Sequence, residues 1–257
     1  MVGKFLSNLV MISFSMIASA TMGVAEDAPL AIAADFEGPT DRYPHNIMGS
    51  LRAHTDLAVT LALCNSCMDW PSALAIRLPV DLVFEDFAPR LVDLDRDGVN
   101  EIVVVESDQQ KGSRLTVWEV LLVDGRPTLV RGATTDFIGT RFRWLAPIGA
   151  EDFDGDGRVE IAYVEKPHLD KILRIVRREG SQLRLVASLA GVTNHAIGQE
   201  KVQSRIETCN GHPTIIALDA TGIRRLAIRF DGTTVGASEL GETSTPHILD
   251  PAPACGR

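Results

Sequence analysis

Asp93-Leu-Asp95-Arg-Asp97-Gly98-Val-Asn-Glu101-Ile102 and Asp152-Phe-Asp154-Gly-Asp156-Gly157-Arg-Val-Glu160-Ile161 are two copies of one pattern. Carboxylates on alternate residues, a glycine that admits a sharp turn, and a further carboxylate at the ninth position gather oxygen around one hard cation. The expected ligands are the carboxylates of Asp93, Asp95, Asp97 and Glu101 with the backbone carbonyl of Val99 in the first loop. In the second they are Asp152, Asp154, Asp156 and Glu160 with the carbonyl of Arg158. Calcium at two sites is the cofactor this chemistry predicts. A helix-loop-helix calcium site needs a bidentate Glu at the twelfth position, and Val104 and Tyr163 stand there instead. The residues that follow, Ile102-Val-Val-Val105 and Ile161-Ala-Tyr-Val164, are β-branched and aromatic, so each loop leads into a buried strand.

Asp93 and Asp152 stand 59 residues apart, a spacing that signals repeated supersecondary units. Two worn copies flank the pair. In the earlier one Met48, Ser50 and Arg52 replace the loop aspartates, and Asp56 precedes the apolar run Leu57 to Leu61. In the later one Glu207-Thr-Cys209-Asn-Gly211 leads into Thr214-Ile-Ile-Ala217. That makes four units, two of them equipped for calcium.

The D-x-D-x-D-G-x-x-E-[IL] loop followed by a strand resembles the FG-GAP (VCBS-type) repeat of integrin α-subunit propellers and of many exported bacterial proteins. The strong signature covers residues 87 to 164; spacing and strand pattern extend it to about 40 to 240. The resemblance implies an all-β fold, a small β-propeller of four or five short blades, with structural calcium between neighbouring strands. It implies no activity. About 230 residues remain after a leader, enough for one well-buried domain but short of seven such blades. The expected division is 1–25 leader, 26–245 propeller and 246–257 tail.

Between the loops the chain alternates strands and tight turns. Leu115 to Val123 ends at Asp124-Gly125 before Thr128-Leu-Val130; Ile172 to Val176 is followed by Glu179-Gly180 and Leu183 to Val186. Arg225 to Arg229, Asp231-Gly232 and Thr234-Val235 repeat the rhythm, and all three read as hairpins. Ala31 to Asp35 reads as an early strand able to close a ring by pairing with the last unit. The tail beyond Gly241, rich in Pro, Thr and Gly, reads as loose in its outer part.

Lys4, the apolar stretch Phe5 to Ala20 and small-residue sites ending at Ala20 and Ala25 match an export signal. The expected location is periplasmic or secreted, with no stable membrane anchor. Four cysteines in an exported chain predict two disulfides among Cys64, Cys67, Cys209 and Cys255. Elimination pairs Cys64 with Cys67 and Cys209 with Cys255. A redox role for Cys64-x-x-Cys67 is disfavoured, because Pro71 follows closely and no βαβ pattern surrounds it. The formal net charge of −9 and the absence of basic runs argue against a nucleic-acid partner.

None of the six histidines has metal-protease spacing, and each alone reads as a turn or surface residue. Arg42 to His45, Arg143-Trp144 and Asn194-His195 can nevertheless share one face of a ring. No nucleophile elbow, P-loop or dinucleotide fingerprint occurs, so no catalytic residue is assigned. The preferred function is a binding module for a protein or glycan partner. The alternative is a hydrolase or lyase working at the propeller mouth.

Overall fold

A computed structural model describes residues 28–62 and 71–251. The expected leader (1–25), Cys64, Cys67, Cys255 and the outer tail lie outside the described residues. Among those described the chain is all-β, without a helix. The strands are β1 (Leu30–Thr40), β2 (Ala53–Ala62), β3 (Ala73–Arg77), β4 (Leu82–Phe84), β5 (Arg90–Val92), β6 (Glu101–Asp108), β7 (Gly112–Val123) and β8 (Arg126–Thr134). They continue with β9 (Leu145–Glu151), β10 (Glu160–Glu165), β11 (Ile172–Glu179), β12 (Gln182–Ala190), β13 (Val192–Thr193), β14 (Arg205–Cys209), β15 (His212–Asp219), β16 (Arg224–Phe230) and β17 (Val235–Glu242).

These strands form two curled sheets. The larger runs β1-β2-β4-β6-β7-β8-β12-β11-β10-β9, with β3 on β2 and β5 on β6; the smaller runs β13-β15-β16-β17, with β14 on β15. Two junctions of the larger sheet are single residue pairs, His54 with Phe84 and Gln182 with Thr134. Between these junctions the pairing is continuous and antiparallel, so the strands fall into ladders around β2, β6, β10 and, in the smaller sheet, β15.

The period of two along each central strand stacks these ladders face to face. Ile102 and Val104 of β6 pack with Leu57 and Val59 of β2, while Val103 and Val105 point the other way, to Ile161 and Tyr163 of β10. Ala162 and Val164 turn to Ile215 and Ala217 of β15, and Ile216 and Leu218 pack beneath Leu249. Both faces of β6 and β10 are therefore dry. That is why their sequences read as unbroken apolar runs where a half-buried antiparallel strand would alternate.

Several expectations need correction. Ala31 to Asp35 belongs to β1, whose pairs are all with the adjacent β2, so it does not reach the last ladder. The two ends of the fold meet through loops, where the Gly198 amide donates to the Ile47 carbonyl at 2.9 Å and the Ser50 amide to Glu200 at 3.2 Å. The late worn loop is no loop. Cys209 pairs with His212 across a two-residue turn, and Asn210 and Gly211 both take positive φ, the conformation Asn-Gly favours. In the early worn copy β2 begins at Ala53, so Asp56 lies inside the strand. The hairpin at Asp124-Gly125 is as expected, the next turn is Gly180-Ser181, and the third spans Asp231 to Thr234. The tail stays docked through residue 250: Leu249 is buried and its amide donates to Gln203.

Candidate metal centre

Each acidic loop joins two antiparallel strands, β5 to β6 in one ladder and β9 to β10 in the next. Their backbones match. The fourth residue is left-handed in both, Arg96 at φ 62° and Gly155 at φ 76°, and the sixth is a positive-φ glycine, Gly98 at 87° and Gly157 at 93°. The first aspartate closes the turn, since Asp93 and Asp152 each accept the amide of that glycine at 3.0 Å. The third aspartate bonds within its own loop: Asp97 accepts the Val99 amide at 2.7 Å and Asp156 the Arg158 amide at 2.9 Å. The ninth residue reaches back, Glu101 to the Leu94 amide at 2.8 Å and Glu160 to the Phe153 amide at 3.1 Å.

This wiring brings three carboxylates of each loop together. Ligand atoms of Asp93, Asp95 and Glu101 lie within 4.8 Å of one another, and so do those of Asp152, Asp154 and Glu160. Either triad can hold a metal ion. Asp97 and Asp156 stand outside these triads, and Val99 and Arg158, expected to offer carbonyls, are tied by their amides to those aspartates.

The loops differ in the neighbouring strand. Glu160 lies opposite Arg177 of β11, whose guanidinium reaches Asp154 and Asp156 at 2.9 Å each and Glu160 at 2.6 Å. The β6–β7 register, continued one step beyond Ile102 and Trp118, puts Glu119 opposite Glu101. Among the described residues no arginine bonds a carboxylate of the first triad, although Arg178 lines the same cavity. Asp95 makes no hydrogen bond or ion pair among the described residues, and Glu119 is engaged by Arg178 from the neighbouring ladder. Burial, and after it the charges of Asp95 and Asp97, push the Glu101 carboxyl up to about 7 against the opposing Leu94 amide and Arg178. Burial also raises Glu160, with Arg177 pulling the other way. Asp95, Asp97, Glu101, Glu119 and Arg178 line a cavity of about 350 Å³ beside Leu121 and Leu122.

The histidine and aromatic groups expected at one face do converge, but as packing. The His168 and His195 rings share a hydrogen bond at 2.8 Å, and His195 reaches the Gln199 carbonyl at 2.9 Å. Trp144 stacks on His168 and meets His195 edge-on, while its indole donates to the Glu85 carbonyl. His45 bonds the buried Glu85 at 2.6 Å and stacks on Phe142. His195 is only 3 % exposed, which corrects its reading as a surface residue. The cavity beside these rings holds about 20 Å³, whereas small-molecule sites take several hundred. Arg143 turns its guanidinium to the Phe142 carbonyl.

No family model matches the chain, and no curated protein matches it. The residues therefore carry the functional argument. Sequence reading missed Arg177 and Glu119, which become neighbours of the loops only across a hairpin, and Glu85, which orders His45. Cys209 is disulfide-bonded.

Proposed function

We infer that the protein is an exported, calcium-stabilised β-propeller of the FG-GAP type that serves as a binding module for a protein or glycan. The carrying observation is the first acidic triad: three carboxylates gathered within 4.8 Å on a fixed backbone, one of them, Asp95, without a partner. Clustered carboxylates repel, and a divalent ion reverses that interaction. All-oxygen donors around a glycine turn suit calcium, which accepts six to eight oxygens in flexible geometry. Asp93, Asp95 and Glu101 hold the ion, and its role is to fix the loop between β5 and β6. The ladders around β2, β6, β10 and β15 are the four blades of this reading, supported by their face-to-face stacking.

Export is supported by the disulfide at Cys209, a bond favoured outside the reducing cytosol. A binding role is supported by Leu121, Leu122 and Val123, three consecutive apolar side chains each more than 40 % exposed, with Leu121 and Leu122 at the rim of the acidic cavity. The test is thermal melting with and without a chelator. Calcium should raise the melting temperature and magnesium should substitute poorly, since magnesium demands a tighter octahedral cage. A melting curve indifferent to both would leave the first loop as an acidic turn.

A further inference from the structure

The residue opposite the ninth loop position follows a rule across the ladders. Around β2, Asp56 pairs directly with Arg77, which grips it with two bonds of 2.7 and 3.0 Å. Around β10, Glu160 pairs directly with Arg177. Around β15, the register continued one step beyond Ile215 and Ile228 places Thr214 opposite Arg229, which donates to the threonine hydroxyl at 3.2 Å. Among the described ladders the one around β6 breaks the rule, with Glu119 opposite Glu101.

Two of the three arginine-bearing ladders have no ligand-bearing acidic loop. The guanidinium at this position thus accompanies strands that follow no acidic loop, at Asp56 within β2 and Thr214 within β15, and the second acidic loop has the same device while keeping its aspartates. We propose that Arg177 is the resident cation of the second loop, and that the protein takes up one divalent ion per chain, at the first loop, where Glu119 stands in place of that arginine. This rests on the calcium reading above and assigns the ion to one loop of the two.

The donor count supports the assignment. Arg177 engages one oxygen each of Asp154, Asp156 and Glu160. Their other oxygens accept backbone amides, from Asp156, Arg158 and Phe153 respectively. Asp152 is similarly engaged at one oxygen by Gly157 and Arg96, which leaves its Oδ1 as a buried atom without a partner. One carboxylate oxygen of the second loop is thus left without a partner, and an ion there would compete with a guanidinium already paired to three of its carboxylates. In the first loop both oxygens of Asp93 accept amides, from Asp97 and Gly98, but no guanidinium bonds its carboxylates: both oxygens of Asp95 are free, and the second oxygens of Asp97 and Glu101 have no hydrogen bond. Arg177 also supplies hydrogen bonds of fixed planar geometry, which a hydrated ion entering the loop would have to displace.

Calorimetric titration of calcium chloride into the calcium-free full chain decides the matter. The wild type should bind one ion. Glu119→Arg should bind none, and its melting temperature should no longer respond to chelator. Arg177→Gln should bind two, the second lost on adding Asp154→Asn. Two ions on the wild type, or a count that stays at one in Arg177→Gln, would overturn the role given to Arg177 while leaving calcium at the first loop. No ion on the wild type would overturn the calcium reading itself and this assignment with it. If Arg177→Gln does not fold, the wild-type count and Glu119→Arg still decide.

Discussion

The loop at Asp93 and the loop at Asp152 share a sequence pattern, a pair of positive-φ residues and three of their carboxylate-to-amide bonds, yet they sit in opposite electrostatic settings. One faces a glutamate across the strand pair and the other an arginine. The backbone cradle is thus a property of the ten-residue motif, and its charge balance is a property of the hairpin that follows. A D-x-D-x-D-G motif fixes where the oxygens are. The cross-strand neighbour decides which cation neutralises them.

The largest effect that can break this comparison is loss of the arginine. Arg177→Ala leaves buried Glu160 and Asp154 without their counter-charge and should cost about 3–5 kcal/mol in calcium-free buffer, measured by denaturant unfolding. Glu119→Ala, at the same place in the other ladder, removes a like charge beside Glu101 as well as the ion pair with Arg178, two effects of opposite sign, and should cost no more than about 1 kcal/mol. Equal losses would show that the two positions are not equivalent in the way claimed.

Next in size is the calcium-dependent gain itself. At free calcium a hundredfold above Kd, one site adds about 2.7 kcal/mol to stability. Asp95→Ala should abolish that gain. Ser50→Ala should leave it intact, because Ser50 bonds to Glu200 and belongs to neither triad.

A pH titration sharpens the comparison by reading a region that belongs to neither loop. Burial, and after it the charges of His195, His45 and Lys171, hold His168 down to about 4 from an ordinary 6.5, and burial also lowers His195. The folded protein keeps these rings neutral while the unfolded chain protonates them. Stability is therefore full above pH 6.5 and is lost as pH falls from there toward 4, by about 3 kcal/mol for His168. His168→Phe should flatten that part of the profile in chelator and calcium alike. A flattening seen only with calcium would connect the rings to the metal loop.

The smallest expected effect concerns the tie between the loops. Arg96 of the first loop reaches Asp152 of the second at 2.9 Å, but half of its side chain is exposed. Arg96→Ala should change unfolding stability by less than about 1 kcal/mol and leave the ion count unaltered.

What could be read from the sequence follows from how local each signal is. The two acidic loops, the strands after them and the Asp124-Gly125 hairpin are written in contiguous residues, and all three stand in the structure. The resident arginine is not contiguous with its loop. It follows the ninth position by 17 residues at Arg177, 21 at Arg77 and 15 at Arg229, because strand and turn lengths vary between ladders. No fixed spacing exposes it; only the paired register does. The same limit explains His195, whose burial comes from Trp144, Phe87 and His168 on separate segments. The late worn copy misled for a different reason. Asn210-Gly211 satisfies a glycine-centred loop pattern and a two-residue hairpin equally well, and the absence of aspartates before it favoured the hairpin.

Crystals grown with calcium and measured at a wavelength long enough for calcium anomalous scattering test the central claim most directly. The account predicts one anomalous peak per chain, about 2.3–2.6 Å from oxygens of Asp93, Asp95 and Glu101, with Arg177 still seated among Asp154, Asp156 and Glu160. A peak inside the second loop with Arg177 displaced, or no peak in the first, would contradict it.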